Sequence, residues 1–209
     1  MEEFISVKNE CVTTTIIEHS KFICYLKNVE NEEDAKEYLK AIRKEHSLAT
    51  HCCYAYIADE KGFIQKFSDD GEPQGTAGMP ILEAIKNNNL VKVIAIVVRY
   101  FGGIKLGAGG LVRAYTNSTV SAIKNAQILN YSLAKKLSLN CLYENYSKIL
   151  SLFESEGVVI LNTDFSENVE MEFLVKSKQI DSFNYKLSET FSGQILAIEK
   201  EEIFYPFKK

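Results

Sequence analysis

Apolar positions along the chain switch between two periods, and the switches mark its elements. From 91 to 98 the residues are almost unbroken Val, Ile and Ala, the composition of a short strand buried on both faces, ending near Arg99. Residues 111–126 hold Ala, Leu and Val without Gly or Pro, enough for a helix of about four turns. Upstream, β-branched and polar residues mix over 11–29 around His19-Ser20-Lys21, which predicts a hairpin or two successive strands. Asn31 followed by Glu32, Glu33 and Asp34 reads as an N-cap with an acidic first turn. Ala35, Leu39 and Ile42 then mark one face of a helix reaching about His46. Residues 51–57 read as a strand, 59–62 as a turn and 63–67 as a returning strand. Turn formers fill 68–80, and Pro80 suits the first turn of a short helix over 81–87.

A second unit follows. Residues 130–136 are polar enough for a linker, and beyond them the pattern is strand 137–142, helix 144–156, strand 158–165, strand 169–175, helix 179–191, strand 195–201. Val169, Met171, Phe173 and Val175 alternate with Glu170, Glu172 and Leu174, as a half-buried strand requires. This βαββαβ order in about seventy residues is that of a ferredoxin-like fold. The expected architecture is therefore α+β in two domains, 1–130 and 136–209.

Composition narrows the function classes. At 46% apolar and 25% charged residues the chain has the make-up of an ordinary globular protein. The amino terminus lacks a basic region followed by an apolar one, and no apolar run nears the roughly 20 residues of a membrane span. Five cysteines without C-x-x-C spacing fit reduced thiols and speak against zinc. A cytoplasmic protein without membrane contact is expected. A net charge of −4 means that any nucleic-acid contact must come from a local patch.

That patch is the segment 99–115, which holds five of the eleven glycines together with Arg99, Lys105 and Arg113. Glycines before a helix permit close approach to backbone N–H groups at the positive end of its dipole. Arg99, Gly102, Gly103, Lys105, Gly107, Gly109, Gly110 and Arg113 are accordingly the candidates for binding an anion or RNA. The competing reading is a tight strand-to-helix turn and nothing more. A Walker loop is excluded because Leu106 follows Lys105, and the dinucleotide pattern fails at Val112 and lacks its downstream acid.

Gly78, Ile81-Leu82, Ile85, Leu90, Ile96-Val97, Arg99 to Gly103 and Leu106-Gly107 match in order and spacing the signature of the IMPACT/YigZ family, which the chain resembles over nearly its full length. Ser20 to Ile23, Ala49-Thr50-His51 with Tyr54-Ala55-Tyr56, and Asp70 to Gly78 resemble further blocks of that family. The resemblance implies a first domain with the fold of the second domain of the ribosomal protein S-five superfamily. It implies a second domain like the last domain of elongation factor G. The implied function is a non-enzymatic, translation-linked regulator whose partner is the ribosome or structured RNA.

Other chemistry competes with that reading. His51 and Cys53 share one face of their strand, with Cys52 on the other, so a Cys–His nucleophile competes with a structural histidine over core cysteines. Asp69, Asp70 and Glu72 compete as Mg²⁺ ligands with their ordinary use in turns. His51, Asp70, Glu72, Gln74 and Thr76 are expected to line a cleft against the glycine segment. Tyr100 and Phe101 read as core edges in preference to a base-stacking pair. Arg113 and Asn117 share a helix face. No cofactor, metal or catalytic residue is expected, and a peptidase finds no H-E-x-x-H. The alternatives are a phospholigand-binding protein or enzyme using that cleft, and a protein-binding adaptor using the second domain. Glu199, Glu201 and Glu202 make the last strand a poor surface for RNA.

Overall fold

A computed structural model describes residues 2–207. The chain divides into two compact units, Glu3–Asn130 and the residues from Tyr131 onward.

In the first unit the elements are β1 (Glu3–Val7), β2 (Cys11–Ile17), β3 (Ser20–Asn28), α1 (Glu32–Glu45), β4 (His51–Ile57), β5 (Gln65–Ser68), α2 (Gly78–Asn87), β6 (Val93–Tyr100) and α3 (Gly107–Asn125). Five strands form an antiparallel sheet in the order β2-β3-β6-β4-β5. The central strand β6 explains its own composition, because both of its faces are covered. Val93, Ala95 and Val97 enter a core with α2 and α3, through Ile81, Ile85, Leu111 and Tyr115. Ile94, Ile96 and Val98 enter a second core under α1, with Ala35, Leu39 and Ile42. A strand with no solvent face cannot alternate apolar with polar residues. Asn31 caps α1 as expected, its Oδ1 accepting from the Asp34 N–H at 3.0 Å.

The same parity carries into the site. Arg99 continues the Val93, Ala95, Val97 side and so points its charge into the first core, whereas Tyr100 falls on the α1 side, its hydroxyl 2.8 Å from His46 Nδ1. His51 lies opposite Arg99 in the β4–β6 register. Cys53 and Cys52 separate into the first and second cores, as the strand period requires.

After β6 the chain turns past the start of β3. The Gly102 N–H donates to Ser20 Oγ at 3.1 Å and the Phe101 N–H to Thr50 Oγ1 at 3.1 Å. A Cβ on Gly102 would fall inside the His19 carbonyl group and the peptide that follows it, so this glycine is set by close approach of two backbones.

The second unit comprises β7 (Ile128–Cys141), α4 (Tyr143–Glu156), β8 (Val159–Phe165), β9 (Val169–Lys176), α5 (Ile180–Phe191) and β10 (Ile198–Tyr205). Its sheet runs β10-β7-β9-β8, antiparallel throughout, the order of the ferredoxin-like βαββαβ fold. Phe153 of α4, Phe173 of β9 and Phe183 of α5 meet in its core with centroids 4.5–5.9 Å apart. The fold is thus two-domain α+β.

Several expected boundaries move. Residues 130–136 are not a linker but part of the long strand β7, where Lys135 and Lys136 pair with Glu199 and Glu201 of β10. Cross-strand charge pairs make that polar run a strand. The returning strand is Gln65–Ser68 rather than 63–67, the last strand is shifted to Ile198–Tyr205, and β1 had no sequence signal. Both α2 and α3 begin earlier than their apolar periods, at Gly78 and Gly107.

Replacing Gly102 by Ala should cost about 3 kcal/mol or more, because backbone must move to admit the methyl group. Gly103→Ala, at φ +88° with open space around it, should cost only about 1–2 kcal/mol of left-handed strain. Urea unfolding of the two variants checks the order; equal losses would remove the close-approach account.

Candidate functional site

The site is built where β6, β4 and α3 converge on the loop between β5 and α2. Arg99 is an ionised group whose strand position commits it to the interior, and its side chain is 6% exposed. Its counterion comes from that loop. Arg99 Nη1 donates to Glu72 Oε1 at 2.6 Å, and the Glu72 side chain is 3% exposed. Tyr115 of α3 donates its hydroxyl to the same oxygen at 2.8 Å. Ser20 Oγ lies 3.4 Å from Arg99 Nη2, and the rings of Phe22 and Phe101 lie 5.4 and 5.5 Å from the guanidinium carbon. Burial, first, and then the neighbouring Cys53 and Glu72 push the Tyr115 hydroxyl far above its ordinary range. It therefore stays a donor.

The loop that supplies Glu72 is held by its own acids. Asp69 accepts from three backbone N–H groups, Gly75 at 2.9 Å, Ala77 at 3.0 Å and Gly78 at 2.8 Å. Burial alone would raise the Asp69 carboxyl, and these amides outweigh it, so it sits below its ordinary value of 3.8. Asp70 is tied by Arg43 Nη2 at 2.7 Å and the Cys52 N–H at 2.7 Å. The Asp69 and Asp70 oxygens that competed as Mg²⁺ ligands are thus committed to amides and a guanidinium. No group of three or more His, Cys, Asp or Glu among the described residues has the geometry to hold a metal.

His51 Nδ1 lies 2.9 Å from the Asp70 carbonyl oxygen. A carbonyl only accepts, so Nδ1 carries a proton and Nε2 is the nitrogen turned to Glu72 Oε2, 3.8 Å away. Cys53 Sγ donates to the Asp69 carbonyl oxygen at 2.9 Å and lies 3.4 Å from the Tyr115 hydroxyl. Burial, foremost, raises its thiol well above the ordinary range. A thiolate is disfavoured there, and His51 points its accepting nitrogen elsewhere. The Cys–His nucleophile is not assembled.

Beside this cluster opens a pocket of about 390 Å³, lined by His51, Glu72, Arg99 and Phe101, by Lys105 and by the start of α3 from Gly107. Of the expected cleft residues, His51 and Glu72 line it. Asp70 is turned to Arg43, Thr76 is buried with its hydroxyl on the Pro73 carbonyl at 2.7 Å, and Gln74 is exposed outside the lining. On the other flank of the 104–110 segment lies a second concavity of about 560 Å³, lined by Glu18, Lys105, Gly110, Arg113 and Asn117 among others. Gly102 and Gly103 form the turn between β6 and the segment, and Gly107, Gly109 and Gly110 are the first turn of α3 itself. That turn has no side-chain cap and no acidic residue. Phe101 is 47% exposed and so is not the core edge expected for it; Tyr100 is. The Glu72 partnership of Arg99 and Tyr115 escaped sequence reasoning, since the ion pair spans 27 positions and the hydroxyl bond 43. The strand parity of Arg99 was the one available signal.

Breaking the pair should be expensive. Glu72→Ala leaves a buried guanidinium without its anion and should cost about 3–5 kcal/mol, while Tyr115→Phe removes one charge-assisted bond at about 1.5–3 kcal/mol. Denaturant titration measures both; an intact Glu72→Ala would show that Arg99 needs no counterion. For Asp69 the unfolded chain takes up its proton first as pH falls. Its contribution is complete above pH 3.8 and lost as pH drops through the lower folded value. The stability gap between the parent and Asp69→Asn should be constant near neutrality and shrink below about pH 4. A gap that stays constant to about pH 3 would contradict this.

A family model described as the Impact N-terminal domain matches residues 18–123, and one described as a domain of unknown function matches 139–194. An IMPACT family member of Bacillus subtilis, YvyE, is 38% identical over 93% of this chain and 89% of its own length. Protein IMPACT of Oryctolagus cuniculus is 37% identical over 42% of this chain and 29% of its own length. A solved structure described as the crystal structure of a hypothetical protein aligns with a TM-score of 0.62 and 30% identity, covering 96% of this chain and 98% of its own. No helix among the described residues is long and apolar enough to cross a membrane. With a domain model over half of its residues and a relative matched along nearly the whole length, this chain belongs to the IMPACT family.

Proposed function

We propose that the first unit binds RNA, as structured RNA or within the ribosome, through the surface formed by residues 101–113, and that this contact serves a translation-linked regulatory role. One observation carries the reading. The uncapped first turn of α3 is flanked by two exposed cations, Lys105 and Arg113, that have no carboxylate partner among the described residues. Helix N–H groups and unpaired ammonium or guanidinium groups together favour phosphate oxygens.

The surroundings support it. From Glu83 to Glu144 the sequence contains no other acidic residue, and Glu18 is the one carboxylate set against Lys105 and Arg113 in the concavity they line, so positive charge is in excess there although the chain as a whole is negative. Arg113 lies over the helix start, its Nη1 3.7 Å from where a Gly109 Cβ would stand. Exposed Phe101 and Ile104 offer apolar surface for an unstacked base. Arg99 is buried and its Nη1 is taken by Glu72, so the exposed cations of this surface are Lys105 and Arg113. The lysines of β7 are likewise matched by the glutamates of β10, which argues against RNA binding by that pair of strands. The family resemblance points the same way through its link to translational control.

Association with ribosomes and with a structured RNA, measured across a salt series, tests the reading. Lys105→Glu with Arg113→Glu should weaken binding at least tenfold and flatten the dependence of log K on log salt by roughly one to two, about 0.7–0.9 for each phosphate no longer neutralised. No association at low salt, or an unchanged slope in the double variant, would refute it.

A further inference from the structure

We propose that the pocket beside Phe101 receives a phosphate monoester, that of a nucleoside 5′-monophosphate, with the phosphate toward Arg99 and the start of α3 and the base against Phe101. The same chemistry is offered by a free mononucleotide and by the 5′-phosphorylated end of an RNA strand. The second source rests on the RNA reading above; the first does not.

Three observations meet in this pocket. Arg99 lines it and is buried, yet its Nε–H has no hydrogen-bond partner. A charged N–H left bare in a dry wall is disfavoured, and an anionic oxygen from a ligand would satisfy it. The first residues of α3, Gly107 and Ala108, line the same pocket with their amides free of any side-chain cap. Lys105 completes the set as an ammonium without an ion-pair partner among the described residues.

The one carboxylate present does not cancel these groups. Glu72 Oε1 is consumed by Arg99 Nη1 and by the Tyr115 hydroxyl, so its charge is already neutralised by the guanidinium. Glu72 Oε2 faces His51 Nε2 at 3.8 Å, a gap that a water can bridge by donating to both. The donors that face the pocket are therefore the Lys105 ammonium and two amides, with the bare Arg99 Nε–H buried in the wall behind them. Three donors in one pocket suit the three terminal oxygens of a monoester better than the two free oxygens of a diester within a chain. At about 390 Å³ the pocket falls within the roughly 300–1,000 Å³ of small-ligand sites. Pro73, Leu106 and Phe101 supply the apolar wall such a ligand's base needs.

Calorimetric titration of the full chain with three probes tests the proposal: a short oligoribonucleotide carrying a 5′-phosphate, the same sequence with a 5′-hydroxyl, and adenosine 5′-monophosphate. The phosphorylated end should bind at least tenfold more tightly than the hydroxyl end. The preference should be lost in Phe101→Ala and in Lys105→Glu, both exposed positions whose replacement leaves the core untouched. Arg113→Glu, in the other concavity, should weaken both oligonucleotides while keeping the preference. Equal affinity for the two ends overturns the pocket proposal and leaves RNA binding by the surface in place. Binding of the mononucleotide alone, abolished by Lys105→Glu, supports the pocket with free nucleotide as the ligand and removes the RNA reading. Absence of binding by all three probes overturns it.

Discussion

Arg99 is the next-to-last residue of β6, a strand whose two faces are both covered, and the parity of that strand turns its guanidinium into the core against α2 and α3. A lone charge there costs several kcal/mol of desolvation, so everything around it is arranged to answer it. Glu72 must be brought from a loop, which requires Asp69 to close the 69–78 segment on three amides. Tyr115 must come from α3 and Ser20 from the start of β3. One ion pair and its hydrogen bonds thus tie β3, β6, the 69–78 loop and α3 into a single corner. The pocket opens beside that corner, and the glycine turn leaves from it.

This reverses the order in which the glycine segment is naturally read. Five glycines, three cations and a helix start look like one anion-binding device when only the chain is seen. In the fold they separate. Gly102 serves the crossing of two backbones, Arg99 serves the core, and only Lys105, Arg113 and the first turn of α3 face outward. Net positive charge at the surface is the smaller number that remains after the internal pairing is subtracted. A net charge of −4 is compatible with it, since screening limits exposed charges to roughly 8–10 Å of influence at ordinary salt.

What was legible in the sequence follows from the range of the interaction that sets each feature. Local rules were readable: the Asn31 cap, the unbroken apolar run of β6, and the division of Cys52 and Cys53 between two cores all depend on residues within a few positions. The ferredoxin-like order of the second unit was readable because each of its elements keeps its own period. Features fixed by distant partners were not. Lys135 and Lys136 look like linker residues until Glu199 and Glu201 lie opposite them, and 68–80 looks structureless until Asp69 is seen to gather its amides. The family signature reached further than any periodicity, since it marks Arg99 and Gly102 without saying that one is a core cation and the other a packing contact.

The adjacent pair Tyr100 and Phe101 shows how little separates structure from recognition here. Successive side chains of a strand point to opposite faces, so Tyr100 must meet the α1 layer, where His46 takes its hydroxyl. Phe101 falls on the side of Arg99, where Phe22 and Glu72 already pack against the guanidinium. Its amide, held by Thr50, carries the chain out of the sheet and leaves the ring at the surface, 5.5 Å from the guanidinium carbon. The exposed ring is therefore a consequence of burying Arg99, and the two together make an aromatic rim over a buried cation. A surface of that kind needs no separate origin: it follows from placing a charged residue next to the end of a fully covered strand.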